Sequence, residues 1–239
     1  MNVRLEGVAK RYGGTMALDL AGKSLNLCPG RIIAVVGLNG AGKSTLLHAI
    51  AGLLNLQSGT IFFDDEPFER DRVDQRQRFA FLPDFPTFFE GMTPLQHIAM
   101  VLRLYEKDGP GSEEKVLGLL KDFSLPALAR TPLSTLSRGQ RYKAALVALL
   151  AAEPELLLLD EPLASGMDGL GLGAFRRHAR QLTENGGTVV YTTQILPVAE
   201  TFSDEVIILH EGRVDAHDAF ERLRQAEGDD LEALLQKLQ

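Results

Sequence analysis

Ile32-Ile33-Ala34-Val35-Val36-Gly37-Leu38-Asn39-Gly40-Ala41-Gly42-Lys43-Ser44-Thr45 is the stretch on which the fold turns. Its first five residues form a continuous apolar run, which reads as a strand buried on both faces. Pro29-Gly30 sets a turn ahead of it. Beyond the glycines, Leu46, Leu47, Ile50 and Ala51 recur at helical spacing, and Gly52 stops the helix. Strand, G-x-x-x-x-G-K-[ST] loop and helix, in that order, make a phosphate-binding unit. The glycines let the backbone curl so that successive N–H groups face phosphate oxygens, and the helix N-terminus adds positive potential. Lys43 is expected to reach the β- and γ-phosphates of a nucleotide, and the Ser44 hydroxyl to ligate Mg²⁺. Gly37, Asn39, Gly40, Ala41, Gly42, Lys43, Ser44 and Thr45 are the binding candidates in this loop.

Further along, Leu156-Leu157-Leu158-Leu159-Asp160-Glu161-Pro162 gives a second buried strand that ends in two carboxylates. In an open α/β sheet, ligands bind beyond the carboxyl ends of the strands. Asp160 is therefore expected on the Mg²⁺ side of the phosphates, and Glu161 beside the attacking water as base or orienting group. Strands at Phe79 to Leu82, Thr188 to Thr192 and Val206 to His210 alternate with helical stretches, which implies a mainly parallel sheet. Extended segments at Val3 to Ala9 and Met16 to Leu27 precede the first motif, and a short strand, Thr60 to Phe63, follows it. Arginines and aspartates mixed over Glu69 to Arg78 read as a solvated surface. From Pro83 to about Glu153 the pattern is helical instead. Thr93-Pro94 caps one helix, a second runs from Glu113 to Phe123, and a third from Arg138 to Ala152.

The 239 residues carry 25 basic and 32 acidic side chains, a formal net charge of −7. That acidic balance argues against a nucleic-acid partner, whose binders show a basic footprint. Hydrophobic content of 45% with 24% charged residues is that of an ordinary globular chain. No apolar run approaches the roughly 20 residues of a spanning helix, so no direct membrane insertion is expected. Met1 to Glu6 shows no basic start followed by an apolar stretch, so no secretory signal is expected either. A single cysteine, Cys28, forms no internal disulfide and suits a reducing, cytoplasmic setting.

Between the two motifs lies Leu136-Ser137-Arg138-Gly139-Gln140. Alone it is a cap and a helix start. In this order and spacing, however, the chain resembles the nucleotide-binding subunits of ATP-binding cassette (ABC) transporters, whose signature motif is similar, with glycine commonly in place of Arg138. Ser165-Gly166-Met167-Asp168 looks like that family's D-loop, and Tyr12 in Lys10-Arg11-Tyr12-Gly13 stands where an aromatic stacks on adenine. The resemblance implies an α/β fold: a RecA-like P-loop NTPase core, a small N-terminal antiparallel β-subdomain and an inserted α-helical subdomain. The core is expected over 1–83 and 154–239, and the helical insert over 84–153. It further implies a Mg²⁺-dependent ATPase acting as a head-to-tail homodimer or heterodimer. Ser137, Gly139 and Gln140 would face the ATP bound by the other subunit. A separate integral-membrane permease would hold the chain at the inner face of the membrane. The compact length resembles single-cassette, exporter-type subunits. Arg138 either adds charge toward phosphate or sits on the solvated side of its helix, the simpler reading.

Two positions depart from the family pattern. Asp84 stands where glutamine usually touches Mg²⁺ and the attacking water, and Gln194 where a histidine usually contacts the γ-phosphate. Glu161, Gln194 and Asp84 are thus the catalytic candidates, and Ser44, Asp160 and Asp84 the metal candidates. Slow hydrolysis with near-normal ATP affinity is expected. A weakly hydrolysing regulatory subunit, paired with a more active relative, is the alternative. Phe85, Phe88, Phe89 and Met92 are read either as a permease-docking groove or as ordinary core, and residues after Gly228 as a final helix.

Overall fold

The computed structural model describes residues 1–20, 22–220 and 222–223 of the chain. The first part contains β1 (Val3–Tyr12), β2 (Thr15–Asp19), β3 (Ser24–Leu27), β4 (Ile32–Val36) and α1 (Lys43–Ile50). After these come β5 (Ser58–Phe63), β6 (Glu66–Pro67), α2 (Val73–Arg76) and β7 (Phe79–Leu82). Three helices follow: α3 (Pro94–Leu104), α4 (Ser112–Asp122) and α5 (Arg138–Ala152). Then β8 (Leu156–Leu159), α6 (Gly169–Glu184), β9 (Thr188–Thr193), α7 (Leu196–Phe202), β10 (Glu205–His210) and β11 (Arg213–Ala219) complete the described part.

The larger sheet has the order β11-β10-β4-β9-β8-β7 and is parallel except for the β10–β11 hairpin. Its continuous apolar strands are explained by two cores, one on each face. Ile32, Ala34 and Val36 point into a core shared with α3 to α7, while Ile33 and Val35 point into a second core under the smaller sheet. The side-chain period of two divides β8 the same way, Leu157 and Leu159 against Leu156 and Leu158. A strand feeding two cores has no polar side to show, and the sequence reads accordingly.

The smaller sheet is antiparallel, with β1 paired to β2, β3 and β5. The extended stretch expected from Met16 to Leu27 is two strands, because the chain turns at Lys23, whose N–H donates to the Leu20 carbonyl at 3.0 Å. β2 covers the far half of β1, and β3 covers the near half. The stretch from Glu69 to Arg78 carries the expected surface pairs, among them Arg72 with Glu66 at 3.1 Å. It also carries α2, which the charge pattern hid. Gln75 is buried there and its side chain stitches Glu69 N–H (2.8 Å) to the Pro67 carbonyl (3.1 Å).

α3 begins with a capping box, Thr93 and Gln96 satisfying each other's backbone N–H groups. α5 is buried along nearly its whole length, which is why its sequence is rich in alanine and leucine with little amphipathic contrast. Among the described residues no helix is long and apolar enough to cross a membrane. The helix expected after Gly228 lies outside the described residues.

Candidate functional site

All parallel strands end at one edge of the sheet, and the loop from Gly37 to Gly42 leaves β4 there and enters α1. Gly42 sits at φ 103°, where an L side chain is strained, and a Cβ on it would lie 2.3 Å from the Ala17 carbonyl oxygen. Gly37 is similarly confined, 2.3 Å from the Leu209 carbonyl oxygen. β2 and β10 thus press on the loop from both sides, and Gly212 N–H bonds the Ala41 carbonyl at 2.9 Å. No side chain caps α1, so its first-turn N–H groups point into the loop without a side-chain acceptor.

Lys43, only 6% exposed, donates from Nζ to the Gly37 carbonyl at 2.9 Å and the Leu38 carbonyl at 3.2 Å. Its ammonium also lies 3.4 Å from Glu161 Oε1. Ser44 Oγ donates to Asp160 Oδ1 at 3.1 Å, and Thr192 Oγ1 donates to the same oxygen at 2.7 Å. The Glu161 N–H in turn donates to Thr192 Oγ1 at 2.8 Å. Residues from the start of α1, the end of β8 and β9 are thereby locked into one cluster. Thr192 was missed in the sequence. It carries no motif, and only the β4–β9–β8 strand order brings it beside Asp160. Glu161 adopts φ 46°, an unfavourable conformation for a non-glycine residue, as the chain turns sharply into the short helix Pro162–Ala164. Gln194 lies exposed just past β9. Tyr12, 49% exposed, sits at the β1–β2 turn with Lys10 Nζ 5.0 Å from its ring centre.

The second group lies at the start of α5. Ser137 is its N-cap, and Gln140 closes the capping box: Gln140 N–H donates to Ser137 Oγ (3.2 Å) and Ser137 N–H to Gln140 Oε1 (2.9 Å). Gly139 is required by contact, since a Cβ there would fall 2.0 Å from the Gly166 carbonyl oxygen. One turn on, buried Lys143 pairs with Asp168 at 3.1 Å. Asp168 also accepts from Gly171 N–H at 2.7 Å, and that backbone bond, ahead of Lys143, holds its carboxyl below the usual range.

Arg138 is exposed at the start of α5, as in the simpler of its two readings. Its guanidinium binds the Asp84 carboxylate and lies 4.2 Å over the Phe85 ring. Below it on α5, Tyr142 is fully buried, and its hydroxyl has no hydrogen-bond partner among the described residues. Burial, then the charges of Asp84 and Asp160, push this phenol well above its ordinary pKa. The aromatic group after Asp84 is divided. Phe85 and Phe89 are 66% and 69% exposed, whereas Phe88 and Met92 pack against the helical core.

The family model described as ABC transporter matches residues 20–164. The ABC-type transporter ATP-binding protein EcsA of Bacillus subtilis (strain 168) is 32% identical over 205 residues, 86% of this chain and 83% of its own length. The daunorubicin/doxorubicin resistance ATP-binding protein DrrA of Streptomyces peucetius is 32% identical over 228 residues, 95% of this chain and 68% of its own. Among solved structures, an ATP-binding subunit of an ABC transporter superposes with a TM-score of 0.90 at 27% identity, covering 99% of this chain and 100% of that one.

Proposed function

The chain belongs to the ABC transporter family as an ATP-binding subunit with ATPase activity, and from that premise we propose how its residues bind and hydrolyse ATP. The triphosphate lies along the loop from Gly37 to Thr45, with Tyr12 against the adenine. Ser44 and Asp160, whose oxygens stand 3.1 Å apart, hold Mg²⁺. This is the sparse oxygen set that such an ion takes alongside phosphate oxygens. When bound, the ion draws negative charge from the phosphates. Lys43 exchanges Glu161 for the β- and γ-phosphates. Glu161 is then released to orient an attacking water and accept its proton. Gln194 donates an amide hydrogen bond to the γ-phosphate.

Two copies meet head to tail, Ser137, Gly139 and Gln140 of each closing the other's ATP site with the open end of α5. Within each copy, 1–83 and 154–239 form the core and 84–153 the helical subdomain. Phe85 and Phe89 offer a permease its docking surface, which keeps the chain at the cytoplasmic face of the membrane. The observation that carries this reading is the convergence of Lys43, Ser44, Asp160 and Glu161 at one sheet edge.

The test uses Glu161→Gln, which keeps the shape of the side chain and removes its basicity. With ATP and Mg²⁺ this variant should stop hydrolysing and elute as an ATP-dependent dimer. Adding Ser137→Arg should return it to monomer. A Glu161→Gln protein that hydrolyses ATP at the wild-type rate would remove Glu161 from the chemistry.

A further inference from the structure

Asp84 follows β7 closely, and β7 is paired in parallel with β8 so that Leu82 stands opposite Leu159. The Asp160 N–H donates to the Leu82 carbonyl at 2.9 Å. The third carboxylate therefore emerges at the same sheet edge as Asp160 and Glu161, where a nucleotide brings several more negative charges. Left alone, it would repel them. It is not left alone. Arg138, the first residue of α5, binds it from across the molecule.

An ion pair exposed to water ordinarily contributes little. Here the guanidinium carbon also lies 4.2 Å from the centre of the Phe85 ring, a contact that suits arginine better than lysine. One turn further along α5, the buried Tyr142 phenol registers the charges of Asp84, Asp160 and Glu161 in one direction and of Arg138 in the other. Arg138 thus shares the electrostatic neighbourhood of the site carboxylates, although it stands at the helix end assigned to the partner's ATP.

We propose that Arg138 is a positioning residue for nucleotide binding, which neutralises Asp84 and holds it clear of the γ-phosphate of the ATP bound by the same subunit. Two of the three departures from the family pattern, Asp84 for glutamine and Arg138 for glycine, are then one compensated change, with Gln194 standing apart. The pair also ties the entry of the helical insert to its last helix, because Asp84 opens that segment and Arg138 begins α5. This inference rests on the ATP-binding reading above.

The test is calorimetry on the full chain with Mg·ATP and Mg·ADP. Arg138→Gln leaves Asp84 uncompensated, so ATP affinity should fall about tenfold, the equivalent of one charge-assisted hydrogen bond, while ADP affinity stays put. Adding Asp84→Gln should restore the ATP affinity, a rescue that loss of packing at α5 would not allow. Arg138→Lys, which keeps the charge and loses the guanidinium, should fall between. An unchanged ATP-to-ADP ratio in Arg138→Gln, or a double variant that stays weak, overturns the pairing. Wild-type protein that binds neither nucleotide would bring down the ATP-binding reading itself. A thermal melt of each variant separates misfolding from lost discrimination, and Arg138→Lys carries the comparison if Arg138→Gln does not fold.

Discussion

Lys43 makes three contacts, two of them to carbonyls of its own loop and one to Glu161. In the proposed site the carbonyl bonds hold the loop, and the Glu161 contact is the one a phosphate would replace. Lys43→Ala should therefore weaken both ATP and ADP, by roughly 1.5–3 kcal/mol for a lost bond between charged groups. Tyr12→Ala should act differently. It removes a stacking face worth about 1–3 kcal/mol and should lower selectivity for adenine. Calorimetry with ATP and with inorganic triphosphate separates the two: Tyr12→Ala should weaken only ATP and Lys43→Ala both, and unchanged ATP affinity in Tyr12→Ala would exclude stacking. At this scale the phosphate loop and the Asp160-Glu161 pair were legible because their chemistry is contiguous in sequence. Thr192 and the Asp84–Arg138 pair were not. Each depends on a partner far along the chain, and composition alone cannot aim a side chain.

Among the elements, α3 makes a claim about pH. His97 packs edge-on against Phe88, with ring centres 4.9 Å apart, and its Nδ1 is buried without a hydrogen-bond partner among the described residues. Burial lowers its pKa from 6.5, so the folded protein holds the ring neutral while the unfolded chain protonates it. The native state then binds fewer protons. Its stability is complete above the unfolded value and declines as pH falls through and below 6.5. His97→Leu should flatten that decline between about pH 7 and 5, read as melting temperature against pH. A parallel pair of curves would place the acid sensitivity elsewhere. Most elements could be read in the sequence, since caps such as Thr93 and Ser137 and turns such as Glu211-Gly212 announce their ends. α2 could not. Four residues among alternating charges make no helical period, and the element exists through the two hydrogen bonds of Gln75.

Over the whole molecule, the nucleotide edge and the exposed aromatics of the helical insert are joined by one short segment, Asp84 to Met92. Phe89 is 69% exposed. Phe89→Asp should therefore release the chain from its membrane permease in a detergent pull-down while leaving calorimetric ATP binding intact. Retention of the permease would move docking to another face. The two-core architecture was legible in outline from the apolar runs of β4 and β8. The division of labour among Phe85, Phe88, Phe89 and Met92 was not, because four apolar residues in a row of turns carry no period to say which face is wet.

The loop from Gly37 to Gly42 is wedged between β2 and β10, with no room for a methyl group at either end. The placement of its two ends is therefore fixed by the folded chain itself. The entropy of ordering those ends is spent once, at folding, and none is charged to each catalytic turnover. A subunit built this way can release product and reload without rebuilding either end of its cradle.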